Sequence, residues 1–193
     1  MNARILVLIA VFALVLSSIG SDCVRSPFVV SVNLGPMEGC YDVNPGDGTW
    51  GIPIAPIVID DLIDDNFQDD VSGFRLYDVK IKVSENYPDG NVAGTVWYTF
   101  DSNVNPFDTT AFEVLLTFEG QTSRFKGEGI SLLDPQGLFS FDSDALNLFV
   151  GSLNNPAARP EFVLLRSTGG GPPVPAGVQV CVNIFVQADA TVE

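Results

Sequence analysis

Apolar residues recur at every second position over several stretches of this chain, the period of a strand with one covered face. Phe28, Val30, Val32 and Leu34 share one side of the first such stretch. Val92, Gly94, Val96, Tyr98 and Phe100 do the same further on, after a turn at Pro88-Asp89-Gly90-Asn91. In a third stretch Phe112, Val114, Leu116 and Phe118 are expected inward, with Glu113, Thr117 and Glu119 outward. Gly120-Gln121 then opens a hairpin loop into Arg124-Phe125-Lys126. Residues 161–167 and 178–188 form the last two strands, and in the second of these Val180, Val182, Ile184 and Val186 face one way.

Two segments depart from simple alternation. In residues 74–83, Phe74 and Leu76 have one parity and Val79, Ile81 and Val83 the other. One extra residue near Tyr77-Asp78, a β-bulge, reconciles the two halves and leaves Lys80 and Lys82 toward solvent. Residues 50–63 are apolar and β-branched, but Pro53 and Pro56 confine them to a sheet edge or an extended segment. Residues 35–51 read as a loop, with Asn44-Pro45-Gly46-Asp47-Gly48 its strongest turn.

One stretch has helical period. Leu146, Phe149, Val150 and Leu153 fall at i, i+3, i+4 and i+7. Asp142 or Ser143 can accept from the free N–H groups of the first turn, and Asn154-Asn155-Pro156 ends the helix. About eight strands with one polar face each, and one short helix at about 143–153, predict an all-β fold: an antiparallel β-sandwich, jelly-roll-like.

The N-terminus breaks the alternation in a different way. Arg4 is the lone charge in the first 21 residues, and residues 5–16 are uniformly apolar. Small and polar residues follow, with Ser18 and Gly20 three and one before a cut ahead of Ser21. This is the layout of a secretory signal peptide over 1–20, leaving 21–193 as a single β-sandwich domain. The apolar run is shorter than the roughly 20 residues a membrane span needs.

Export implies an oxidising compartment, secreted or in the cell envelope, where cysteines pair. Three follow the leader: Cys23, Cys40 and Cys181. They allow one disulfide and one leftover thiol, and spacing does not choose among the three pairings.

Composition then narrows the function. Asp and Glu number 24 against 9 Lys and Arg, a formal charge of -15. Phosphate backbones are bound by clustered Lys and Arg, so nucleic acid is excluded as a partner. The chain has no His, which removes the usual base of a Ser or Cys nucleophile and the His-containing zinc sites. No phosphate-cradling Gly loop leads into a helix. Glu113 and Glu119, the neatest carboxylate pair, lie about 20 Å apart along an extended strand, beyond the roughly 5–9.5 Å of a glycosidase. The chain is therefore expected to be no enzyme.

Two binding features stand out. Asp101, Asn103 and Asn105 place oxygens at alternate positions, like the opening of a calcium loop, though Pro106 stands where an EF-hand needs Gly. The alternative is that these side chains bond their own turns. Asp42, Asn44, Asp47 and the acidic run Asp60, Asp61, Asp64, Asp65, Asp69 and Asp70 are further calcium candidates. Trp97 has the parity of Thr95 and Thr99, so it falls on the polar side of its strand and is a candidate binding surface.

These readings point to a secreted or envelope structural protein, with residues 28–34 able to add to a neighbouring copy's sheet. The alternative is an extracellular module for carbohydrate or for calcium-dependent adhesion. No cofactor other than calcium is implied, and no membrane span remains after the leader is removed.

Overall fold

The computed structural model describes residues 28–51, 56–62, 71–155 and 159–192. The expected leader at 1–20, Cys23 and residues 63–70 of the acidic run lie outside them. Among the described residues the strands are β1 (Phe28–Asp42), β2 (Trp50–Gly51), β3 (Ile57–Val58), β4 (Val71–Val83), β5 (Asn91–Thr99), β6 (Glu113–Gln121), β7 (Ile130–Ser131), β8 (Phe139–Ser140), β9 (Phe162–Gly170) and β10 (Gln179–Val192). Two helices, α1 (Thr122–Phe125) and α2 (Ser143–Leu153), join them.

The strands form two antiparallel sheets, ordered β1-β10-β4-β7 and β2-β9-β5-β6-β8, with β3 also on β9. The pairing is nested: first with last (β1–β10), second with second-last (β2–β9), then β4–β7 and β5–β6. This is how a long antiparallel ribbon winds into a jelly roll, and the expected sandwich is the observed fold.

The alternating residues of the two sheets meet in one core. On β10, Val180, Val182, Ile184, Val186, Ala188 and Ala190 are all buried. Opposite them lie Val92, Val96, Leu116, Phe118, Val163 and Leu165. Tyr98, Phe100 and Phe149 form an aromatic group that docks α2, with the Tyr98 and Phe149 ring centres 4.9 Å apart. Tyr41, Trp50 and Phe118 form a second group. Burial there pushes the Tyr41 hydroxyl up to about 12, because the charged phenolate would lose its water.

The helix lies where its period predicts, at Ser143–Leu153, capped by Asp142 accepting from the Asp144 N–H at 2.8 Å. Asn154 closes it and also pins β4. Its Oδ1 accepts from the Phe74 N–H at 2.6 Å, while its Nδ2 donates to the Phe74 carbonyl at 2.8 Å. The bulge expected near Tyr77-Asp78 is present: Phe185 pairs Asp78 and Val186 pairs Leu76, so Tyr77 is the extra residue.

Three local expectations are corrected. Residues 35–42 are not loop but the second half of β1, after a bulge between Leu34 and Met37 that returns Met37 and Tyr41 to the core. Gly and Pro are tolerated at a bulge on an edge strand, so they do not break it. The segment at 122–125 is a helical turn, not the return arm of a hairpin. On β6 a bulge opposite Val96/Trp97 buries both Leu115 and Leu116. Val114 is thereby turned out and 40% exposed, and Phe112, though buried, packs apart from the main core cluster.

The outer face of the first sheet is polar. Asp189 accepts from Arg75 Nη2 at 2.7 Å, Arg75 Nη1 at 2.9 Å and Ser31 Oγ at 3.1 Å. The Arg75 bonds, and then that of Ser31, hold the Asp189 carboxyl below its usual range. Bonds to Thr49 and Thr110 do the same for Asp47 and Asp108. A carboxyl depressed on folding stabilises fully above its unfolded pKa, about 4, and loses that contribution as pH falls through the folded value. Stability should therefore be level from neutral pH to about pH 5 and decline below about pH 4. In Asp189→Asn the acid limb should be shallower, as read by urea midpoints across the pH series.

Candidate functional site

The outer face of the second sheet carries the most distinctive surface. Cross-strand register sets Ser140 opposite Thr117, Thr117 opposite Thr95, and Thr95 opposite Thr168. Four hydroxyl side chains thus run in one row across β8, β6, β5 and β9. Beside the row, Ala93 stands between Glu119 and Gly170. Because these residues are small, the face is recessed into a groove of about 650 Å³ lined also by Leu138 and Phe139. It offers donors and acceptors without a charge other than Glu119.

One register step along, the character changes. Trp97 lies directly opposite Arg166. The Arg166 guanidinium is 5.1 Å from the Trp97 ring centre and 5.7 Å from that of Phe112, so it stacks against both. Trp97 is on the outer face, as its parity indicates, but half-buried against this cation. Arg166 is 6% exposed.

The loop between β5 and β6 covers this group and contains Asp101, Asn103 and Asn105. Asp101 Oδ1 accepts from the Asn103 N–H at 2.9 Å, and Asn105 Oδ1 accepts from the Phe107 N–H at 3.0 Å. Asp108 Oδ1 accepts from the Thr110 N–H at 3.0 Å and the Thr110 hydroxyl at 2.7 Å. Each of these three oxygens therefore satisfies a backbone N–H of its own turn. Asp42 accepts from Gln179, and Asp47 from Thr49.

Of the three cysteines, Cys40 and Cys181 are joined in a disulfide at directly paired positions of β1 and β10. Among the described residues, Glu38, Cys40 and Cys181 are the one set of three acidic or thiol groups whose ligand atoms come together. The disulfide uses both sulfurs, so no thiolate is left there to hold a metal. Glu113 and Glu119 now fall on opposite faces of β6, because the bulge lies between them: Glu113 pairs the core residue Tyr98, and Glu119 pairs Ala93.

A third feature is an edge. β1 pairs with β10 on one side and, among the described residues, with no strand on the other. Residues 28–34 of that edge contain neither charge nor proline, and Val29 is 65% exposed.

Sequence reasoning missed Arg166. A lone Arg on the outer parity of a strand reads as a solvated charge, and the only clue was its neighbours, Leu164 on the same face and the aromatic Trp97 and Phe112, both distant in the chain.

The fold defines a jelly-roll β-sandwich. Among solved structures it is similar to a chain described as Desmodium yellow mottle tymovirus, at 11% identity and a TM-score of 0.33, over 88% of this chain and 91% of that one. A likeness of that size carries no argument about function. No protein-family model matches the sequence, and no curated protein matches it. No helix of the described residues is long and apolar enough to cross a membrane.

Proposed function

We propose that this chain is an exported, non-enzymatic structural protein that associates with copies of itself along the outer edge of β1. The observation that carries the reading is that edge: residues 28–34 present a row of backbone N–H and C=O groups with no charge, proline or covering strand among the described residues. Two such edges can pair antiparallel about a two-fold axis, which satisfies both rows at once. The Cys40–Cys181 disulfide supports an extracellular or envelope location, since such bonds persist in oxidising compartments.

The test is the mass of the chain from Ser21 onward by sedimentation velocity, from micromolar to near-millimolar concentration. The wild type should move from monomer to dimer or larger. Val29→Lys places a charge on an exposed edge position without touching the core and should hold the chain monomeric, weakening association by at least tenfold. A wild type that remains monomeric throughout the range overturns the reading.

The hydroxyl row of the second sheet favours a second reading, a binding module for neutral carbohydrate. Ser140, Thr117, Thr95 and Thr168 would donate to and accept from sugar hydroxyls. Calcium at Asp101, Asn103 and Asn105 belongs to this reading. A ligand that binds only the folded state raises its melting point, so melts with millimolar calcium and with a glycan panel test both.

A further inference from the structure

The Cys40–Cys181 disulfide bridges directly paired residues of β1 and β10 on the outer face of the first sheet. Cys40 is exposed and Cys181 is half-buried. Among the described residues no strand lies beyond β1. The two sulfurs therefore differ in how they can be reached. A thiolate attacks a disulfide in line with the S–S bond, from behind the sulfur it takes. Behind Cys40 is the open edge of β1. Behind Cys181 is β4, with Lys82 in the directly opposed position.

Charge divides the site the same way. On β1, Glu38 Oε1 lies 3.5 Å from Cys40 Sγ. Asp42, two residues along the same face, accepts from Gln179 Nε2 at 2.9 Å. On β4, Lys82 opposes Cys181 and Lys80 opposes Asn183. Lys80 lies over the Phe185 ring, 5.5 Å from its centre, so Lys82 is the cation at the register step of the disulfide. Directly opposed side chains have Cβ atoms about 4.5–5.5 Å apart. An ammonium there favours a thiolate on Cys181 over one on Cys40, and the sulfur that leaves more readily directs attack onto its partner. Access and charge both select Cys40 as the sulfur attacked. The carboxylates beside it then favour a cationic thiol over an anionic one.

We propose that Cys40 is a modification site for small aminothiols, which form a mixed disulfide there in the folded chain. The incoming thiolate bonds to Cys40 Sγ as the Cys40–Cys181 bond breaks, and the electron pair of that bond leaves on Cys181 Sγ as thiolate. One disulfide replaces another, so this step needs no oxidant. A second thiolate can take the adduct from Cys40, which oxidises two small thiols to their disulfide and leaves both cysteines reduced. The site lies across the Leu34/Met37 bulge from residues 28–34, so its failure leaves the association reading standing.

The probes are cysteamine, mercaptoethanol and mercaptoethanesulfonate, which share a two-carbon stem and differ in charge. They are reacted with the chain from Ser21 onward carrying Cys23→Ser, quenched with acid and mapped by peptide mass spectrometry. The adduct should fall on Cys40. Per thiolate, cysteamine should react about threefold or more faster than mercaptoethanesulfonate, a gap that narrows at high salt. Glu38→Gln should narrow it too, chiefly by speeding the anionic thiol. Lys82→Gln should slow all three thiols, because the Cys181 thiolate becomes a poorer leaving group. Both substituted residues are exposed, so these variants keep the fold. Urea well below the unfolding transition should leave the rates unchanged, because the attack needs no opening of the fold. The proposal is overturned by an adduct on Cys181, by rates that climb steeply with sub-denaturing urea, or by rates that do not depend on the charge of the thiol.

Discussion

Replacing Cys40 and Cys181 together with serine should lower the melting point by about 10 °C. The bond closes a sequence separation of 141 residues. In the chain-entropy account a loop of that length constrains the unfolded chain by about 5 kcal/mol, and measured losses for native disulfides run about 2–5 kcal/mol. For a chain of this size each kcal/mol moves the midpoint by about 2–4 °C. Scanning calorimetry of the variant, and of the wild type with reductant, should agree. A midpoint within about 2 °C of the oxidised wild type would mean that strand pairing alone fixes β1 on β10.

The second large effect lies under Trp50. This ring, 3% exposed, sits over Gly94 and Gly169 and stacks on Phe118. A Cβ at Gly169 would stand 2.1 Å from the Ala93 carbonyl oxygen and 2.5 Å from Trp50 Cζ2. Backbone cannot yield there, so Gly169→Ala should cost about 3 kcal/mol or more. A Cβ at Gly94 would meet only side chains, Trp50 at 2.5 Å and Phe118 at 2.8 Å. Gly94→Ala should therefore cost about 2 kcal/mol, and Trp50→Phe should relieve much of it. Trp50 Nε1 has no hydrogen-bond acceptor, so the smaller ring forfeits no bond. Urea melts of the double-mutant cycles should show a coupling of about 1 kcal/mol for Gly94 with Trp50 and little for Gly169.

Where the pattern was strict, the fold could be read directly. β10 alternates without interruption, and every residue expected inward is buried. The phase slip in β4 placed a bulge near Tyr77-Asp78, because one added residue lets both halves face the core, and Tyr77 is that residue. Helix α2 was legible from its period and its Asp142 cap. The same logic failed where a bulge coincided with residues that resemble a turn. Gly35-Pro36 ended the pattern of β1 for a reader of sequence, yet the bulge at that place simply restarts the strand. On β6, Leu115 and Leu116 are adjacent and both apolar, and alternation gave no sign that both would be buried.

The candidate surfaces were legible to a smaller degree. Parity placed Trp97 on the outer face. It gave no hint of the hydroxyl row, because that row needs the register of four strands far apart in sequence. Nor could it show that the loop before β6 folds back over Arg166. Spacing left the disulfide open, and pairing became definite once β1 was seen to continue through residue 40 beside β10.

The covalent tie has a directional consequence. It lies beyond the Leu34/Met37 bulge, on the far half of β1. Peeling of β1 from its partner can start at Phe28 and run to the bulge, where the staple stops it. Exchange of strands between copies is thereby limited, in the oxidised chain, to a short flap ahead of that point, while the remainder keeps each molecule intact.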